Sequence, residues 1–175
     1  MMRASAALLL LLAACSDGQS RSTPSAGDVP DLEQAAIDSG VIPDVSQIDP
    51  TGLFQRRHEG GTDAMCLVPD GKQEYRFGLA AHSGGASYCS GRGRAKQAGD
   101  MLVLRFDKPS RCIIVAQYDG DRIALAGAVD LECDTLCQER ASFAGVAVPR
   151  VSDSQAAALS ASGRDGKPLC TGGKG

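Results

Sequence analysis

The segment MLVLRFDKPSRCIIVAQYDGDRIAL, residues 101–125, decides the fold. Leu102, Leu104 and Phe106 recur at every second position, the period of a strand with one buried face. Pro109-Ser110 breaks the run, and Arg111 to Tyr118 forms a second, more apolar strand. Asp119-Gly120 is the strongest two-residue hairpin signal in the chain, and it leads into Ile123 and Leu125. Three short strands joined by tight turns predict antiparallel neighbours, because parallel pairing needs a long crossover.

The same reading extends upstream. Gly52-Leu53-Phe54 opens a strand, Ala64 to Val68 is a continuous apolar one, and Asp70-Gly71 predicts a hairpin. Tyr75, Phe77 and Leu79 alternate with Glu74, Arg76 and Gly78, so this strand has one wet face. Ser83-Gly84-Gly85 turns the chain into the polar, Gly-rich strand Tyr88 to Arg94, and Gly99-Asp100 turns it again. Downstream, Leu131 to Arg140 reads as a loop or helical turn. Ser142 to Val148 reads as the last strand, ended by Pro149. All seven aromatic residues lie between Phe54 and Phe143. The expected class is mostly β: a small antiparallel meander that closes into a barrel and so removes its exposed edges. A two-sheet sandwich is the alternative. Short helices flank it, one over 31–39 with Asp31 as cap and Gln34 in reciprocal position, one capped by Ser152 or Asp153 and ending near Ala161.

Six cysteines fall in or beside these strands: Cys66, Cys89, Cys112, Cys133, Cys137 and Cys170. An even number in an exported chain points to three disulfides. Fifteen connectivities are open; the simplest is sequential, Cys66–Cys89, Cys112–Cys133 and Cys137–Cys170. Cys170 would pin a Gly-rich tail to the domain.

The N-terminus supplies the argument for export. Arg3 precedes an apolar run from Ala4 to Ala14, and small residues end it, the pattern of a secretory leader. The run is about half the roughly 20 residues that a membrane-spanning helix needs. Leu12-Ala13-Ala14-Cys15 resembles the lipobox of bacterial lipoproteins. That resemblance implies cleavage before Cys15 and acylation of its thiol, including palmitate-type chains. Ser16 in the following position implies outer-membrane rather than inner-membrane retention, on the periplasmic face. The implied organisation is a signal peptide over 1–14, a lipidated flexible tether over 15–30, a short helix and connector over 31–50, the disulfide-stabilised β domain over 51–170, and a tail over 171–175.

Charge bounds the partners. The chain carries 18 Lys and Arg against 21 Asp and Glu, net −3; without Arg3 the balance is 17 against 21, net −4. A mildly acidic domain is a poor nucleic-acid binder and fits a basic protein partner better than an acidic one. Against that background Arg92, Arg94 and Lys96 alternate along one strand and share a face. They are the candidate anion-binding residues, suited to an envelope glycan, a lipopolysaccharide or a carboxylate, or else they form a charged face that discourages edge pairing.

Catalytic patterns are weak. His58, in RRHEG, and His82, in AHSGG, are the only imidazoles, and Ser83 beside His82 is adjacency in sequence alone. No G-x-S-x-G elbow is present. Cys133-x-x-x-Cys137 has the spacing of copper-binding assembly proteins, but those need a downstream His. Asp119-Gly120-Asp121 reads as hairpin chemistry rather than a calcium loop, which needs more oxygen ligands. No cofactor or metal is expected, and a binding or structural role in the envelope is favoured over an enzyme.

The chain is similar in its lipobox, its opening Gly52-Leu53-Phe54, its evenly spaced cysteines and its Phe143-x-Gly145 to small proteobacterial periplasmic lipoproteins. Among these, the membrane-bound inhibitors of C-type lysozyme carry a Ser-Gly-x-x-Tyr loop in an anchored barrel. Ser83-Gly84-Gly85-Ala86-Ser87-Tyr88 resembles that loop with one extra residue, and Leu159 to Arg164 echoes it without the Tyr. The implied alternative function is inhibition of a lysozyme-like lytic enzyme.

Overall fold

The computed structural model describes residues 31–171. The leader, Cys15, the tether and residues 172–175 lie outside the described residues. The chain divides into two units between Pro43 and Asp44.

In the first unit, α1 (Leu32–Asp38) begins at Asp31, whose carboxylate accepts the Glu33 N–H. Gln34 does not close a capping box. It donates instead to Asp38 one turn on, and Gly40 takes the positive φ expected after a helix end.

The second unit is one sheet of eight antiparallel strands closed on itself in sequence order: β1 (Gly52–His58), β2 (Gly61–Gly71), β3 (Glu74–His82), β4 (Tyr88–Ala98), β5 (Met101–Phe106), β6 (Ile113–Tyr118), β7 (Arg122–Leu125) and β8 (Ala147–Ser152). β1 pairs with β8 through Leu53–Ser152 and Phe54–Arg150. The barrel expectation holds, and the sandwich is replaced by a single closed sheet.

Two turn assignments shift. The β2–β3 hairpin turns at Lys72-Gln73, two residues beyond Asp70-Gly71, because an irregularity between Pro69 and Gly71 moves the register. The last strand starts at Ala147 rather than Ser142 and runs through Pro149. Residues 142–146 are a loop with a turn at Ala144-Gly145, Ser142 Oγ accepting the Ala144 N–H and Gly145 at positive φ. Pro149 is tolerated because the Arg150 N–H points at Asp121 O beside β7. By alternation, the missing Pro149 donor faces β1, beyond the last β1 partner on that strand.

An eight-stranded barrel has room for side chains and little else. Phe54, Met65, Leu67, Phe77, Leu79 and Leu102 are among the fully buried residues that fill this one. Phe106 meets Phe77 edge-on at 4.9 Å and stacks on Phe143 at 5.6 Å. The glycines of β4 make this possible: a Cβ on Gly91 would strike the Phe106 ring, and one on Gly93 would strike the backbone of β5. The strand reads as polar and Gly-rich because its outer positions are wet and its inner ones are vacated for aromatic rings.

Both rims are closed. At the rim holding the β4–β5 and β6–β7 turns, a 3₁₀ turn (Val45–Gln47) and the residues up to Pro50, expected to be connector, sit against the barrel together with Thr51. Buried Gln97 donates to Val45 O and Ile48 O at 3.2 and 3.3 Å. Arg150 donates to Gly120 O at 2.8 Å, Thr51 O at 2.7 Å and Asp49 O at 3.1 Å, contacts the Tyr118 hydroxyl, and lies 4.7 Å over the Phe54 ring. Burial, then the neighbouring Asp49 carboxylate, pushes the Tyr75 hydroxyl up to about 12. The opposite rim carries a 3₁₀ turn (Leu131–Leu136) and two disulfides, Cys112–Cys133 and Cys89–Cys137.

The third disulfide is Cys66–Cys170. Only Cys112–Cys133 matches sequential pairing. Cys66 points outward from β2, whereas Cys89 sits two strands away, on β4, with its side chain in the inner cluster. Two strand spacings, about 9.5 Å, and opposite faces forbid a bridge between them. Cys66 instead anchors a C-terminal strap. α2 (Gln155–Ser160), capped by Ser154 rather than Ser152 or Asp153, lays Ala158 on the outer face of β2. Residues 161–169 then fold into a small hairpin, with Leu169 N–H to Ala161 O at 2.7 Å and Gly163 N–H to Lys167 O at 2.8 Å. Ala64, Cys66, Val68 and Ala80 are buried under it, as are Leu169 and Cys170. This cover explains why Ala64 to Val68 is apolar at every position instead of alternating.

Candidate functional site

β4 lies at the free edge of the strap, and its outer face is where the charge collects. Ser90, Arg92, Arg94 and Lys96 all point outward and are exposed, as their alternation predicts. The register extends this set. Arg76 on β3 is directly opposite Arg94, and Arg94 is directly opposite Arg105 on β5. Three arginines thus form one row across three strands, an arrangement that costs stability when uncompensated. One carboxylate, Asp70, approaches two of them, 3.5 Å from Arg76 and 3.9 Å from Arg94. Among the described residues Arg92 and Arg105 have no ion-pair partner.

Two clefts flank this row. One, of about 400 Å³, lies between the strap hairpin and the rim end of β3–β4, with His82, Tyr88, Arg92, Arg164 and Lys167 in its walls. The other, of about 260 Å³, is lined by Arg76, Arg92, Arg94 and Asp107. Arg92 and Leu169 line both, so the clefts adjoin along one charged face, termed the groove below. The strap supplies a wall of the first cleft, and sequence reasoning missed Arg164 and Lys167 because nothing in the tail marks where Cys170 will pin it.

The first cleft is held in shape by local contacts. The Arg164 guanidinium lies over the Tyr88 ring, 5.1 Å from its centroid. Tyr88 is fixed in turn by stacking on His82 and by Gln138, which donates to its hydroxyl at 2.9 Å. Asp165 is engaged by Lys167, through the Lys167 N–H at 3.1 Å and the ammonium at 3.2 Å, and these contacts hold its carboxyl below the usual range.

The two histidines are not brought together as a catalytic pair. His58 accepts the Gly60 N–H on Nδ1 at 3.1 Å and meets Asp63 through Nε2 at 3.1 Å, so both its nitrogens are engaged. Asp63 is 2 % exposed. Burial alone would raise its carboxyl, but hydrogen bonds from the His82 N–H at 2.9 Å, from His58 and from Arg56 at 2.8 Å outweigh it and leave it lowered. This cluster ties the β1–β2 turn to the end of β3. Among the described residues His82 Nδ1 is buried without a hydrogen-bond partner.

Cys133 and Cys137 each bond to a different partner, so their shared spacing reflects two bridges rather than one site. At the Asp119-Gly120 hairpin, the Asp119 carboxylate accepts the Asp121 N–H at 3.0 Å and Gly120 takes positive φ, as turn chemistry requires. Among the described residues no helix is long and apolar enough to cross a membrane. Comparisons with protein-family models, with curated proteins and with solved structures find no match for this chain.

Proposed function

We propose that the chain is a lipoprotein anchored in the outer membrane through Cys15, and that its barrel is a binding module rather than a catalyst. The observation that carries this reading is the pairing of all six downstream cysteines among themselves. Three bridges suit an oxidising compartment, and they leave Cys15 outside the set, in its lipobox. A side-chain-filled barrel offers its outer surface to a ligand, and the cationic groove on β4 is the part of that surface with concentrated charge. The test is replacement of Cys15 by Ser followed by cell fractionation. The native chain sediments with membranes and the variant moves to the soluble fraction; equal membrane association of both overturns the anchor.

A second reading, inhibition of a lysozyme-like enzyme, draws on one observation: the Ser83–Tyr88 loop stands at the rim with Ser83, Gly85 and Ala86 exposed. Excess purified chain that leaves lysozyme activity unchanged eliminates it.

A further inference from the structure

The groove is specific enough in charge to name a ligand class. In the first cleft Arg92, Arg164 and Lys167 stand against Asp165, net +2. In the second, Arg76, Arg92 and Arg94 stand against Asp107, with Asp70 beside the row; because Arg92 belongs to both clefts, together they hold five cations against three carboxylates, net +2. A phosphate monoester carries about −1.5 to −2 charge at neutral pH, and a carboxylate or phosphodiester carries −1. Arginine forks match the oxygens of both, and four of the five cations are arginines. Arg92 and Arg94 are two residues apart on one strand, so their backbone positions differ by about 7 Å. The groove is also preorganised: Arg164 is held on the Tyr88 face, which reduces the cost of ordering it on binding.

We propose that this groove binds a phosphomonoester that carries a second, singly charged anionic group about 7 Å away, with the phosphate between Arg92 and the strap residues Arg164 and Lys167, and the second group beside Arg92, Arg94 and Arg76. This deepens the binding reading above and depends on it only for the outward-facing site. The like-charge row on β3, β4 and β5 is then a feature that the ligand neutralises. The phosphomonoester can come from a lipid headgroup or from a soluble sugar phosphate.

The test uses the native chain purified in neutral detergent and titrated calorimetrically with 6-phosphogluconate, glucose 6-phosphate and inorganic phosphate. 6-Phosphogluconate binds at one site, at least about tenfold more tightly than glucose 6-phosphate, since each charge-assisted hydrogen bond contributes about that much. Arg92→Ala weakens it by about tenfold to a hundredfold, because that residue serves both clefts. Tyr88→Leu weakens it several-fold with no charge removed, the mark of a positioning residue. Arg122→Ala, on the remote strand β7, leaves it unchanged. Arg92 and Arg122 are exposed, and the thermal transition of each variant checks its fold. Binding as well to short-chain phosphatidylinositol 4-phosphate, whose headgroup carries a phosphomonoester and a phosphodiester, places the ligand in a headgroup; binding to the sugar phosphate alone places it in solution, and either outcome upholds the groove. Absence of binding at about 1 mM, or equal affinity in native chain and Arg92→Ala, overturns it. Cys15→Ser fractionation is independent: an anchor that fails there leaves binding by the purified chain intact, and a groove that fails here leaves the anchor intact.

Discussion

The walls built by β2–β3 and by β4–β5 are neighbours in one closed sheet, share the same packed interior, and have opposite exteriors. Outside β2 the chain places Ala64, Cys66 and Val68, all buried beneath the strap. Outside β4 it places Ser90, Arg92, Arg94 and Lys96, all open to water. The boundary between them runs along the strap itself. Gly78, on β3 beside both, shows how tight the cover is: a Cβ there would collide with the Leu169 carbonyl. The comparison teaches that one segment does two jobs. The strap dries one wall with its apolar residues, and its hairpin lends Arg164 and Lys167 to the other.

The largest expected effect comes from uncovering the dry wall. Cys66→Ala with Cys170→Ala removes a bridge spanning 104 residues. It lowers stability by about 4 kcal/mol, read as an earlier urea midpoint, because loops of that length lose the most closure entropy when bridged. The barrel strands remain paired, so far-ultraviolet dichroism of the variant stays native-like before the transition. Gly78→Ala comes next, at about 2 kcal/mol of overpacking. It sharpens the comparison when combined with the bridge deletion: once the strap is free to lift, the extra methyl costs little, and a double-mutant cycle shows strong coupling. Purely additive effects would mean that Leu169 is not what Gly78 makes room for.

A smaller effect, about 1–2 kcal/mol at neutral pH, follows from Asp63→Asn at the rim end of β2, where a buried carboxylate loses its charge-assisted partners. Its folded-state carboxyl is lowered, so its contribution is complete above the unfolded value of about 3.9 and is lost as the pH falls through the folded one. Urea midpoints of native chain and variant therefore converge as the pH drops below about 4. The smallest effect belongs to the wet wall and has the opposite sign. Arg94→Gln relieves a like-charge row and raises the melting temperature by about 1 °C at low salt, a gain that disappears at about 1 M salt. Destabilisation by this substitution would show that the Asp70 contact outweighs the repulsion.

Much of the barrel was legible in the sequence, and the reasons are local. Leu102, Leu104 and Phe106 announce their face through period two, and Asp119-Gly120 fixes its hairpin through backbone conformations that few other pairs adopt. The rest depended on long-range geometry. The bridge partners follow from which face each Cys takes and which strands lie side by side, so Cys66 could not be matched to Cys170 before the strap had a position. The uniform apolarity of Ala64 to Val68 signals burial on both sides without saying by what. Pro149 ordinarily ends a strand, so the expected final strand stops short of the observed one, and only the register of β8 against β1 and β7 shows that its missing donor is not needed. At the groove, the alternation of Arg92, Arg94 and Lys96 was visible, while Arg76 and Arg105 joined them only through cross-strand register.

The Cys66–Cys170 bond also closes a covalent ring that holds six whole strands, β3 to β8, and the second half of β2. A protease that nicks any peptide bond between those two positions, in whichever exposed turn, releases no fragment: both pieces stay linked through sulfur, and the ladder hydrogen bonds of the barrel can hold them in register. A single backbone cut would thus leave a molecule of unchanged covalent composition, apart from one added water.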